Sequence, residues 1–151
     1  MSTVDAAVRT VYLSIAALWV GGVSFVTLAV LPVARDGAAD AAPVERILGR
    51  LRTISRASAL LSLLTGGYLA LVGVGYAVGT LAGTTRGRLV LATVALWLLF
   101  AALVEVGVAR TVAGLREKRV RAPAREGLRW FRPAAVVGIA LLVGIGLLAV
   151  A

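Results

Sequence analysis

The sequence predicts an all-α polytopic membrane protein, an antiparallel bundle of four transmembrane helices, and three observations carry that prediction. Hydrophobic residues make up 60% of the 151-residue chain and its mean hydropathy is +0.98, too high for a soluble fold of this length. Four apolar runs each approach the ~20 residues that an α-helix needs to cross a ~30 Å hydrocarbon core. The charges are concentrated between those runs. Residues 1–151 therefore read as a single membrane domain with no soluble part left over.

The first span is expected at about 8–31. Val11–Leu31 holds no charge, and Pro32 follows where a missing N–H costs little. Residues 1–10 read as a short polar leader with Asp5 and Arg9. The apolar run is too long for a signal-peptide core and lacks a small-x-small cleavage site, so the span is taken as uncleaved.

Residues 33–56 form the first long basic loop, with Arg35, Arg46, Arg50, Arg52 and Arg56. Within it, Asp40 is a candidate N-cap with a proline close behind, and Ile47, Leu48, Leu51 and Ile54 recur at helical spacing. This amphipathic stretch either lies on the membrane surface or runs directly into the second helix.

The second span is expected at about 57–78. Ser58, Ser62, Gly66 and Ala70 fall four apart and form a small-residue stripe suited to close helix packing, as do Gly21 and Gly22 in the first span. Residues 79–88 read as a short turn joining antiparallel neighbours. The third span is expected at about 89–109, the second basic loop at 110–132, and the fourth span at 134–151. Trp130 and Phe131 stand where an aromatic belt would lie. Ala17-Leu18-Trp19 and Ala95-Leu96-Trp97, each followed by a later Val-Ala-Arg, are a weak internal echo compatible with duplication.

Charge sets the orientation. Thirteen of the sixteen Lys and Arg residues fall in the two long loops, and three fall in the N-terminus and the 79–88 turn. The positive-inside rule then places the loops in the cytoplasm and both termini outside a cell membrane. The formal charge of +9 is explained by anionic lipid headgroups beside these loops, so membrane lipids are the expected partners and nucleic acid is not. A second copy or a partner membrane subunit, joined through the small-residue faces, is also expected.

The chain has no histidine, no cysteine and only one methionine, Met1. Thiolate metal sites, thiol redox chemistry and the usual haem ligands are absent with them, so no cofactor and no metal site are expected. No carboxylate pair, nucleophile–base set or phosphate loop is present, and no enzyme activity is expected. Glu105 is the one acid inside a span, and an ionisable group there calls for a partner. Arg110 is the nearest candidate, with Arg56 and Arg132 also in reach. Glu105 shares a small face with Ala101, Ala109 and Ala113, so that face is expected to turn toward the bundle. A register-fixing ion pair and a proton or cation relay are the two roles to separate.

The pattern Tyr12-Leu-Ser-Ile-Ala-Ala-Leu-Trp19-Val-Gly21-Gly22, continuing to Leu31-Pro32, resembles the first helix of the copper-resistance D (CopD-like) membrane family. Leu64-Thr65-Gly66-Gly67-Tyr68 resembles its second helix. The resemblance implies four spans and an association with copper uptake or tolerance. It also implies a histidine seven residues before Trp19, where this chain has Tyr12. The expected function is thus a transport-associated membrane protein without its own cofactor. The alternative is a lipid-interacting scaffold or a subunit of a larger membrane complex.

Overall fold

A computed structural model describes residues 2–73, 79 and 81–150, with the side chains of 71–73 outside that description. The described residues form four long helices: α1 Thr3–Arg35, α2 Ala41–Gly73, α3 Thr85–Leu115 and α4 Arg121–Val150. Three of them, α1, α3 and α4, are long and apolar enough to cross a membrane. The expected second span, 57–78, lies partly outside the described residues.

Each helix is longer than its apolar run. At about 1.5 Å per residue, thirty or more residues reach about 45–50 Å, well past a ~30 Å core. The expected basic loops are therefore mostly helix. α2 begins at Ala41, so its amphipathic basic stretch runs straight into the apolar part rather than forming a separate element. α3 continues past Arg110 to Leu115, and α4 starts at Arg121. The true connections are Asp36–Asp40 and Arg116–Val120. Arginine is a good helix former, and Val44, Leu48, Leu51, Leu128 and Phe131 bury one side of these basic segments in the core.

The N-terminal leader is also helical. Ser2 Oγ accepts from the Asp5 N–H at 3.1 Å and Asp5 Oδ2 accepts from the Ser2 N–H at 3.0 Å, a reciprocal capping box that starts α1 at Thr3. Pro32 does not end α1. A π-helical turn over Val26–Val30 precedes it, with the Leu31 N–H donating to the Val26 carbonyl. The wider turn relieves the conflict between the proline ring and the carbonyl four residues back. α1 ends where Gly37 takes φ +77°, with the Ala38 N–H donating to Val33 O at 3.1 Å and the Gly37 N–H to Ala34 O at 3.0 Å. Glycine suits that left-handed position.

All four helices meet around one aromatic pair. Trp19 of α1 is 1% exposed, and its ring lies 4.7 Å from that of Phe100 on α3, tilted by 57°. The Trp19 Nε1–H donates to Ser55 Oγ of α2 at 2.8 Å. On α4, a Cβ at Gly138 would stand 2.8 Å from the Phe100 ring and 3.1 Å from Val20. Van der Waals contact of this kind, with a few side-chain hydrogen bonds, is what holds helices together when lipid offers no hydrophobic contrast.

The tightest seam joins α3 and α4. Gly107 faces Phe131, Gly114 faces Pro123, Gly127 faces Thr111 and Gly144 faces Thr93, and an added Cβ at any of them would meet that partner at 3.0 Å or less. Phe131, expected in an aromatic belt, is instead fully buried against Gly107, and Trp130 beside it is half-buried. The two Ala-Leu-Trp echoes occupy unlike places, since Trp19 is sealed in the core and Trp97 is only half-buried.

Candidate functional site

Glu105 sits on α3 ten residues before its end, level with the basic half of α2. Arg52 and Arg56 lie four apart on α2 and so project from one face. Arg52 Nη2 and Arg56 Nη2 each approach Glu105 Oε1 at 2.6 Å, and Arg56 Nε donates to Oε2 at 3.4 Å. Both carboxylate oxygens are thus engaged. Arg110 is exposed and makes no ion pair among the described residues, and the same holds for Arg132.

The Glu105 face is not turned inward as expected. Ala101 is half-buried against the core, but Ala109 and Ala113 are exposed, and the buried face of α3 carries Phe100, Val104, Gly107, Val108 and Thr111. The reason is steric: glycine and β-branched residues admit the close approach of α4, whereas the alanine face lies a third of a turn away. Glu105 and Arg52 are 36% and 35% exposed, which puts the cluster on the flank of the helices and not in an enclosed proton path. Its geometry suits an ion pair that sets the register of α2 on α3.

The small-residue stripe of α2 is used within the chain. Ser55, Ser58 and Ser62 are buried, and Gly66 and Ala70 are half-buried. A Cβ at Gly66 would lie 3.4 Å from the Tyr12 ring, and one at Gly22 would lie 3.6 Å from Leu51. Gly21 differs: it is exposed, with nothing within 4 Å of an added Cβ, and takes no part in packing inside the chain. The stripe meets α1 at Gly66.

A cavity of about 600 Å³ opens where α1 and α3 begin and α2 and α4 finish. Asp5, Arg9 and Arg86 lie among aliphatic walls, and Tyr12 contributes a ring at the position where the resemblance implies a histidine. Three polar atoms of its lining have no hydrogen-bond partner among the described residues: Ser62 Oγ, Arg86 Nε and Trp97 Nε1. An unpaired buried polar group costs ~1–3 kcal/mol, so three in one cavity are a marked feature. Little in the sequence points to it, because the four contributing segments are far apart in the chain. A smaller cavity of about 260 Å³ at the basic end is ringed by Arg35, Arg125, Arg129 and Arg132.

The donor set does not fit copper. No histidine or cysteine exists in the chain, and the described residues hold no cluster of three or more His, Cys, Asp or Glu. Soft Cu(I) prefers sulfur and imidazole ligands, and Glu105, the carboxylate inside a span, already holds two guanidiniums.

Long apolar helices with charged ends and no strand among the described residues define a helical membrane protein. A family model described as Copper resistance protein D matches residues 45–151, and the chain belongs to that family. The match includes Leu64–Tyr68 but not the α1 pattern at 12–32. No curated protein matches the chain, and no solved structure matches it.

Proposed function

We propose that this protein is a transport-associated component of copper tolerance that binds no copper itself, crossing the cell membrane four times in antiparallel order. The observation that carries the reading is a copper-resistance-family chain with no histidine, no cysteine and a single methionine, Met1. The antiparallel order draws support from helix contacts: Thr93, Phe100, Gly107 and Thr111 of α3 meet Gly144, Gly138, Phe131 and Gly127 of α4, one set rising as the other falls. α2 is read as the remaining span, second in chain order, through its apolar part from Ala57 onward. The metal is then handled by a partner, and this chain supplies a membrane-embedded subunit without catalysis of its own.

Two measurements test this together. Protein purified in detergent from cells grown in excess copper is expected to hold no copper above background by elemental mass spectrometry. Cells lacking the chain are expected to be less copper-tolerant than the parent. Stoichiometric copper would overturn the ligand-free reading, and unchanged tolerance would overturn the copper association.

The four-arginine cavity favours a second reading, in which the basic end grips anionic lipid headgroups and the protein acts as a scaffold. In that case Arg125→Gln/Arg129→Gln lowers retention of anionic phospholipid in native mass spectrometry, and deletion leaves copper tolerance unchanged.

A further inference from the structure

We infer that the 600 Å³ cavity between the starts of α1 and α3 and the last turns of α2 and α4 binds a single-chain amphiphile with an anionic carboxylate head. The proposal is independent of the copper reading and rests on three observations.

The first is the hydrogen-bond inventory. An arginine Nε–H and a tryptophan Nε1–H can only donate, and those of Arg86 and Trp97 have no partner among the described residues. Ser62, 6% exposed, adds a third unpartnered polar group. Acceptor oxygens brought by an occupant would pair at the Arg86 end, while Trp97, about 16 Å further along α3, would lie beside its chain.

The second is charge. Asp5, Arg9 and Arg86 leave the cavity one positive charge in excess, and the Asp5 carboxylate already accepts from the Ser2 N–H. That balance favours an anion over a neutral or cationic ligand. The third is the wall itself, built from Leu13, Leu63, Val94 and Leu148 among others. Water alone suits it poorly: a volume of about 600 Å³ would hold on the order of twenty waters at ~30 Å³ each, most of them against hydrocarbon. The volume lies within the ~300–1,000 Å³ of small-molecule sites and suits one chain better than a two-chain lipid. Arg86 and Trp97 are eleven residues apart on α3, about 16 Å along the helix, so the site is elongated as an acyl chain requires.

Gly67 provides a clean test. It lines the cavity, and nothing lies within 4 Å of an added Cβ, so Gly67→Leu fills the space without meeting a neighbour at its Cβ. The probe is 9,10-dibromostearate, whose bromines quench indole fluorescence, titrated into protein in nanodiscs of unbrominated lipid. A saturable quenching component is expected, absent in Trp97→Phe and weakened at least tenfold in both Gly67→Leu and Arg86→Gln. The brominated methyl ester, which lacks the charge, is expected to quench without saturation. Thermal melting like that of the parent certifies the fold of each variant, and Arg86→Gln stands as the second probe if Gly67→Leu melts early. Non-saturable quenching alone, or saturable quenching that survives both Gly67→Leu and Arg86→Gln, overturns the site. In nanodiscs of dibrominated phosphatidylglycerol, Gly67-dependent quenching that free stearate does not relieve would assign the cavity to a phospholipid chain and overturn the single-chain assignment.

Discussion

Trp19 is the residue on which most of the packing converges, and its indole N–H has one partner, Ser55 Oγ at 2.8 Å. Ser55→Ala leaves that buried donor unpaired and is expected to cost about 1–3 kcal/mol, read as a lower melting temperature in detergent. Trp19→Phe/Ser55→Ala is expected to lose less than the sum of its single variants, because the second change removes the orphan left by the first. Glycines divide sharply at the same scale. A Cβ at Gly127 would run into Thr111 Oγ1, and Thr111 is fully buried with its hydroxyl donating to Gly107 O at 2.7 Å. Gly127→Ala is therefore expected to destabilise by about 1–3 kcal/mol as an overpacked contact. Gly21→Ala, with open space around it, is expected to be neutral or to stabilise by up to about 1 kcal/mol through helix propensity. Melting curves of the two variants side by side decide it. The small-residue motifs in the sequence did not reveal this division: a glycine tells that close approach is possible, not whether a neighbour arrives.

Among the elements, α2 is the one whose course the sequence left open. The structure has it continuous from Ala41 to Gly73, with exposed Thr53 in the middle of the basic half. Thr53→Pro would break that helix and is expected to cost about 3 kcal/mol or more, whereas a separate surface segment would tolerate it. Thermal unfolding of this variant distinguishes the two. The ion pairs between α2 and α3 belong to the same scale. Glu105→Gln leaves Arg52 and Arg56 without their counter-charge and is expected to lower the melting temperature. Adding Arg56→Gln is expected to restore part of the loss by removing guanidinium repulsion, and adding Arg110→Gln is expected to restore none. If Glu105→Gln melts like the parent but abolishes copper tolerance, the register role gives way to a relay. The sequence carried a usable signal for this cluster, since Arg52 and Arg56 share a helix face. It could not choose them over Arg110, because proximity along α3 says nothing about which guanidinium faces the carboxylate.

For the whole molecule, the absence of cysteine makes topology directly measurable. A membrane-impermeant maleimide is expected to label Ser2→Cys in intact cells and Lys118→Cys only after lysis. The reverse pattern would invert the orientation argued from the positive loops. Such an inversion would leave the cavity beside Asp5 and Arg86 facing the cytoplasm, and the four-arginine end facing out.

What the sequence determined by itself was the class of protein, the approximate place of the apolar runs, the basic segments between them and the lack of histidine and cysteine. These are sums over composition and local order, and hydropathy adds up the same way whatever the tertiary arrangement. Its resemblance to the copper-resistance family, stated from short motifs, agrees with the match over 45–151. The tertiary structure decided the rest: helices that outrun their apolar segments, the partners of Glu105, the glycines that interlock along α3 and α4, and a cavity assembled from four distant segments. Each depends on register. Successive helix positions turn by about 100° and rise by about 1.5 Å, so a shift of one residue between neighbours changes every contact while leaving the hydropathy profile untouched.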